Sequence, residues 1–231
     1  MGSIIDLHIH TIVGSMDSDI SPKRLAEAAR QVGLTGVAIT EHMSMWLPDE
    51  AEHFRQESGL FVFNAREWST EMGHVIVLGL DREVRGIARV RDLRRVCEEQ
   101  GAFMILCHPF RYFPGPSNFL FGSRRDAESI PIEELAEHPL FSLVDAVEVL
   151  NGGCIDRENG LAQAVARQVG LPGVAGSDAH MPMEVGRYAT VFEKDVTSEE
   201  EMLAELRAGR FHPAQRVEPG IFAPLEEVAT P

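Results

Sequence analysis

Two histidines stand one residue apart near the start of the chain, where a short apolar run ends. His8 and His10 close the segment 4–10, Ile-Ile-Asp-Leu-His-Ile-His. Because side chains two residues apart point to the same face of a β-strand, both imidazoles would lie together at the end of that strand. Two imidazoles on one face can supply the first ligands of a metal ion. An isolated H-x-H pattern is more often a surface histidine with an accidental neighbour. Whether this pair binds a metal therefore depends on residues elsewhere in the chain.

Further residues with metal-binding side chains also follow apolar segments that we predict to be strands. Carboxyl ends of parallel strands form the rim on which active sites are built in α/β folds, so these side chains are expected to converge. His74 is the exception, because it precedes an apolar run. A turn through residues 69–73 would be needed to bring it beside Glu67. The residues at predicted strand ends are His8, His10, His42, Glu67, His108, Asp178 and His180.

Short apolar segments alternate with helical patterns along most of the chain. Ser21 and Pro22, for example, predict the start of a helix that runs to about Val32 and ends at Gly33. This alternation indicates βα units and a parallel sheet, and about seven such strands favour a barrel over a flat sheet. The connection over 110–130 has a length typical of functional lids.

Composition narrows the class of protein. The 231 residues suit one domain, and no apolar run approaches the ~18 residues of a membrane span. Neither does the N-terminus show a signal-peptide pattern. A net charge of −15 disfavours nucleic acid and anionic membranes as partners, although three divalent ions, +6 in total, would bring it to −9. Three cysteines without a C-x-x-C spacing predict free thiols and a cytoplasmic location.

Taken in order, these motifs closely resemble the PHP (polymerase and histidinol phosphatase) superfamily of metal-dependent phosphoesterases. The resemblance extends over about residues 4–212, and Glu184 to Arg187 is similar to the family's usual ending. It implies a distorted (β/α)7 TIM-like barrel with its metal site at the C-terminal rim of the strands. We expect a catalytic barrel over 1–212 and a Pro-containing tail over 213–231. The blocks that carry the resemblance are D-L-H-I-H-T at 6–11, I-T-E-H at 39–42, Glu67 with Gly73-His74, His108-Pro109, and G-S-D-A-H at 176–180.

The resemblance also implies two to three divalent metal ions. Glu67 would bridge two of them, and Asp19 competes with Asp17 for the ligand position in the loop after His10. Glu41 stands where many members have Asp, and we expect it to support the ligands. Imidazole and carboxylate ligands without thiolate suit Zn, Mn or Fe, and the sequence does not choose among these metals. The implied ligands are His8, His10, Asp17, His42, Glu67, His74, His108, Asp178 and His180.

Such a centre activates water, so we expect metal-bound water to be the nucleophile rather than a protein side chain. Neither G-x-S-x-G nor a Cys–His nucleophile signature is present. A phosphate also needs cations that are not ligands, and Arg111 is the first candidate for substrate binding and catalysis, with Arg187 second. A solvated surface position is the alternative for each arginine. Asn151 could donate a hydrogen bond to the substrate, and Glu148 could support a ligand.

These residues predict a hydrolase of phosphoric esters that acts on a small phosphomonoester, such as a nucleotide, sugar or amino-alcohol phosphate. No membrane is expected as a partner. One alternative is a nuclease or oligonucleotide-trimming phosphodiesterase with the same centre. Another is a metal-binding interaction domain without catalytic activity. The oligomeric state is not predicted by these patterns.

Overall fold

A ten-stranded sheet, curled into a half-barrel, organises a mixed α/β fold. The structure, a computed structural model, describes residues 2–80, 84, 86–123 and 130–224. The strands are β1 (Ile4–Ile9), β2 (Gly36–Glu41), β3 (Phe61–Thr70), β4 (Gly73–Leu78), β5 (Phe103–Leu106), β6 (Ala146–Asn151), β7 (Gly173–Gly176), β8 (Tyr188–Phe192), β9 (Phe211–Glu218) and β10 (Ile221–Pro224). The helices are α1 (Pro22–Val32), α2 (Pro48–Ser58), α3 (Val90–Gln100), α4 (Ile132–Ala136), α5 (Asp156–Val169) and α6 (Glu199–Ala208), with a 3₁₀ helix at Pro139–Leu143.

The strands follow the order β10-β9-β8-β1-β2-β3-β4-β5-β6-β7 across the sheet. An isolated parallel bridge between Ile9 and Ala179 brings the segment after β7 back to the end of β1. Strand β1 contains His8, and β2, β5 and β7 precede His42, His108 and Asp178, so these candidate ligands lie at a common rim.

The sheet is mixed, whereas the sequence predicts a parallel one. β4 is antiparallel to both β3 and β5, and β8, β9 and β10 are antiparallel to their neighbours. The reason for the reversal at β4 is the length of its connection. Only Glu71 and Met72 separate β3 from β4, while a parallel crossover needs a dozen residues or more.

Helix α1 shows that its ends are set by local chemistry. The Ser21 side chain accepts a hydrogen bond from the backbone N–H of Arg24 at 3.3 Å, and Gly33 ends the helix with a left-handed φ of 78°. Leu25 and Ala29 are buried against the sheet. This helix and its boundaries confirm the prediction from sequence.

Apolar side chains fill the interior of the curled sheet and leave its rim to polar groups. Phe63, Ile105 and Val174, from three different strands, belong to one buried cluster. Met202 and Leu206 of α6 join the same cluster beside Phe103, the first residue of β5. The amino ends of the strands are therefore closed by packing, and chemistry is confined to the opposite rim.

The segment from Pro213 to residue 224, predicted as an extended tail, is extended and paired with the sheet as part of β9 and β10. Residues 225–231 lie outside the described residues, and the boundary at residue 212 stays a prediction. Among the described residues, no helix combines the length and the apolar character needed to cross a membrane.

Candidate metal centre

The ring nitrogens of the two opening histidines face each other at the rim. The Nε2 atoms of His8 and His10 lie 3.0 Å apart, and each is 3.4 Å from Oδ1 of Asp178. Oε2 of Glu67 lies 3.6 Å from the first ring nitrogen and 3.5 Å from the second. All four side chains are buried. Imidazole nitrogens and carboxylate oxygens that converge on one buried point form a donor set for a divalent cation.

Glu67 stands at the middle of the candidate ligands and turns its two oxygens to different partners. Oε1 lies 2.9 Å from Nδ1 of His74 and 3.1 Å from Nε2 of His108. Oε2 lies 3.1 Å from Nδ1 of His42. A carboxylate placed in this way can contact two ions at once.

His74 reaches this position through the hairpin of β3 and β4. Because the strands are antiparallel, His74 pairs with Ser69 and lies at the same rim as Glu67. The turn expected to bring His74 beside Glu67 is therefore confirmed.

A more exposed group of side chains lies outside the buried pair. Oδ2 of Asp17 is 3.5 Å from Nε2 of His42 and 3.4 Å from Nε2 of His180. The carboxylate of Asp19 instead lines a surface depression with Arg24. Of the two competing acids, the geometry favours Asp17 as the loop ligand.

The electrostatics of the centre favour ionised carboxylates beside a protonated His8 and a neutral His10. Burial raises the pKa of the carboxyls of Glu67 and Asp178, but the charge of His8 and hydrogen bonds from other histidines outweigh it and hold both values well below the usual range. Burial lowers the pKa of His10 to about 4, so this ring is neutral at pH 7, as a ligand must be. Together with Glu148, the two acids form a buried group of carboxylates that a divalent cation would neutralise. The donor set and its charge therefore fit a metal ion.

Buried acids behind the ligands orient them. Oε1 of Glu148 lies 2.9 Å from Nδ1 of His8. Nδ1 of His10 lies 3.1 Å from the hydroxyl of Ser15, which in turn donates to Glu41 at 2.6 Å. Such contacts fix which ring nitrogen faces a metal. The supporting roles expected for the two glutamates agree with these contacts.

Two polar residues in this arrangement were missed from sequence. Ser15 gave no signal, because a serine in a polar loop is common and does not by itself indicate a functional role. Asp6 belongs to the D-L-H-I-H-T motif, and an acid inside an apolar strand indicates a role that apolar packing does not explain. Its carboxylate accepts hydrogen bonds from the backbone N–H groups of Ser177 at 2.8 Å and Gly186 at 2.9 Å, and burial raises its pKa to about 6. Asp6 thereby ties β1 to the loops that follow β7.

The predicted substrate-binding residues differ in how closely they approach the centre. Nη1 of Arg111 donates to Oδ2 of Asp178 at 2.9 Å. The amide of Asn151 lies between Glu148, at 2.9 Å, and the same aspartate oxygen, at 3.3 Å. Arg187 is on the outside, where Nη1 donates to a backbone carbonyl at 3.1 Å.

Residues 6–109 match the PHP domain family, and residues 156–211 match the family described as PHP-associated. Together the two matches cover a little over two thirds of the chain. The chain belongs to the PHP superfamily. Members of this superfamily are metal-dependent phosphoesterases or hydrolases. Seven of the nine candidate ligands lie within the PHP domain match, and Asp178 and His180 lie within the PHP-associated match.

Other proteins are similar to this chain in sequence or in fold, at low identity. The uncharacterised protein MJ0417 of Methanocaldococcus jannaschii is 28% identical over 183 residues, which are 79% of this chain and 67% of the relative. The structure of PsfC from Pseudomonas syringae has a TM-score of 0.61 at 18% identity, with 90% of both chains covered. An amidohydrolase from Chromobacterium violaceum has a TM-score of 0.59 at 17% identity, with 93% of this chain and 98% of that chain covered. At such identities the structures show the shared fold alone.

Proposed function

We propose that this PHP protein hydrolyses a small phosphomonoester with the help of two or three divalent metal ions. The observation that carries the proposal is the buried convergence of His8, His10, Glu67 and Asp178, with the guanidinium of Arg111 beside them. A cation site next to an arginine can accept a phosphoryl group, because both attract its negative oxygens.

Three groups of ligand atoms would hold the ions, since the atoms within each group lie within 4.8 Å of one another. When bound, such ions lower the pKa of water and neutralise charge on a phosphoryl group. Zn, Mn and Fe all suit these donors. The groups are His8 with His10 and Asp178, His8 with Glu67 and His108, and His10 with His42 and His180. Asp17 and His74 would complete the exposed sides.

The chain's own residues have separate tasks in this proposal. Arg111 binds the phosphoryl oxygens, Asn151 orients Asp178, and Arg187 meets the outer part of the substrate. Cys107 is not a nucleophile, because burial raises the pKa of its thiol well above the usual value and only 1% of the residue is exposed. We take water as the attacking group, because a metal centre lowers the pKa of water.

The proposal extends to the barrel, the extent of the catalytic unit and the location of the protein. We propose that β1 to β7, joined through the bridge between Ile9 and Ala179, correspond to the seven strands of the (β/α)7 barrel. Residues 1–212 would form the catalytic unit. The three cysteines are buried and free, which supports a reducing, cytoplasmic location.

Elemental analysis of the purified protein, paired with phosphate release from phosphorylated metabolites, tests the proposal. We expect two or three ions per chain and turnover of a small monoester. Metal-loaded protein that releases no phosphate from any monoester would contradict it. Cleavage of single-stranded DNA with a steep loss of activity at rising salt would instead support the nuclease alternative.

A further inference from the structure

The loop after β5 holds a residue in a backbone conformation that L-amino acids avoid. Among the described residues, three that are not glycine have a left-handed φ: His108 at 29°, Tyr112 at 64° and Asp178 at 52°. Two of them are candidate ligands. Costly conformations of this kind are concentrated at functional sites, where the surroundings enforce them. The left-handed conformation of Tyr112 therefore indicates a function for this part of the loop.

Two buried polar side chains enforce the shape of this loop. Oε1 of Glu158, on α5, accepts a hydrogen bond from the backbone N–H of Tyr112 at 2.6 Å. Asn118 donates through its amide to the carbonyls of Pro109 at 2.9 Å and Arg111 at 3.0 Å. The loop is thus fixed before any ligand binds, which reduces the entropic cost of binding.

The loop encloses a cavity of about 180 Å³ next to the candidate centre. His74 and His108 form its inner wall and Arg111 lies along one side. Tyr112 and Phe119 form the mouth, where they remain 54% and 65% exposed. The ring of Phe119 lies 4.9 Å from that of His74. Large aromatic side chains left exposed beside a polar site offer apolar surface to a ligand.

We propose that this cavity binds the organic part of the phosphoester and selects a substrate that carries a single aromatic ring close to its phosphate. The inference rests on the proposed function and narrows its substrate class. Size supports one ring, because a cavity of about 150 Å³ holds benzene. A nucleoside or an oligonucleotide exceeds this space. Chemistry supports an aromatic ring over a sugar, since Phe119, Tyr112 and Leu120 give the lining of the cavity aromatic and apolar surface.

In the reaction, water adds to phosphorus and the bond between phosphorus and the ester oxygen breaks. The water loses a proton and the leaving oxygen gains one, so the products are inorganic phosphate and an arylmethyl alcohol. Arg111, at the junction of cavity and centre, would hold the phosphoryl group while the ring occupies the cavity.

The first test compares three esters on the metal-loaded protein: benzyl, cyclohexylmethyl and ethyl phosphate. Their alcohols are similar leaving groups, and the first two differ mainly in the flatness of the ring. We expect kcat/KM for benzyl phosphate to exceed the other two by roughly 10-fold. Equal values for the three esters would overturn the inference while keeping the phosphatase. Failure on all three esters, while another small monoester is hydrolysed, would also overturn the inference. Failure on every monoester would contradict the proposed function instead.

Binding gives a readout that does not need turnover. We expect benzylphosphonate to bind the metal-loaded protein more tightly than ethylphosphonate in calorimetry. If the two bind equally, the cavity does not recognise a ring, whatever the activity assay shows.

A variant at the mouth separates this cavity from the rest of the protein. Phe119→Ala should lower kcat/KM for benzyl phosphate by roughly 2- to 10-fold more than it lowers kcat/KM for ethyl phosphate. Ile221→Ala is the matched control, because Ile221 is 53% exposed on β10 and lies outside the lining of the cavity. An equal loss on both esters in Phe119→Ala, or no loss on either, would contradict the inference.

Discussion

Glu148 contacts two candidate ligands with one carboxylate. One oxygen lies 2.9 Å from Nδ1 of His8, and the other accepts the backbone N–H of His108 at 3.0 Å. The pair of contacts aims Nε2 of His8 into the centre and holds the start of the loop that carries His108. A residue outside the proposed set of ligands thereby controls the orientation of residues that would bind a metal.

Glu148→Gln should weaken metal binding by about 10- to 100-fold, because the amide is a poorer acceptor for the imidazole N–H of His8. Competition with a chelator of known affinity measures the change. Glu200→Gln, at an exposed position on α6, is the control. Unchanged affinity in Glu148→Gln would show that the contact does not support the ligands.

His10→Ala and Asp178→Ala should each lower phosphate release by roughly 100-fold or more, since each removes a donor from the buried convergence. Circular dichroism and urea unfolding check that the fold survives. His53→Ala provides a control, because the side chain of His53 is 71% exposed on α2. Full activity in either variant would refute the assignment of the site.

Arg111→Ala should reduce kcat/KM by roughly 10- to 100-fold through the loss of a charge-assisted contact with the phosphoryl group. Arg111→Lys should recover only part of this loss, because lysine cannot bind in a bidentate manner. Steady-state kinetics of both variants beside Arg95→Ala, whose arginine is 70% exposed, measure the effect. If neither kcat nor KM changes in Arg111→Ala, then Arg111 supports Asp178 and does not bind the substrate.

The ion pairs of Glu205 make a contribution to stability that depends on pH. Hydrogen bonds from Arg210 and Lys194 lower the pKa of its carboxyl from 4.5 to about 2. The folded chain therefore binds this proton more weakly than the unfolded chain. The contribution is present above pH 4.5 and is lost as the pH falls towards 2.

Glu205→Gln should lower the urea midpoint relative to the unaltered protein at pH 7, and the difference should shrink at pH 3. Glu200→Gln is again the matched control on the same helix. A difference of the same size at both pH values would mean that packing, rather than the charge of Glu205, accounts for the loss.

The side chains at the rim could be predicted from sequence, because their place depends only on the residues at the end of each strand. A strand that ends in a histidine or an acid places that side chain at the rim whatever the rest of the sheet does, as His42 and Asp178 show. The same reasoning required a turn that returns His74 to Glu67, but it did not predict a hairpin. The antiparallel direction of β4 did not follow from it, since the alternation of apolar segments does not report strand direction.

Contacts between distant parts of the chain were beyond the sequence. The left-handed conformation of Tyr112 depends on Glu158, which is 46 residues away. Asp6 binds the backbone of Ser177 across 171 residues. In both cases the partner lies far along the chain, and only the folded arrangement identifies it.

The two-residue turn between β3 and β4 acts as a spacer that sets the register of one strand against its neighbour. Glu71 and Met72 place His74 opposite Ser69, at the rim that Glu67 occupies. Successive side chains of a strand alternate between faces, so one residue inserted in this turn would direct His74 to the other face and leave Glu67 in place. The place of one candidate ligand is thus encoded by the length of a turn as much as by the identity of the residue.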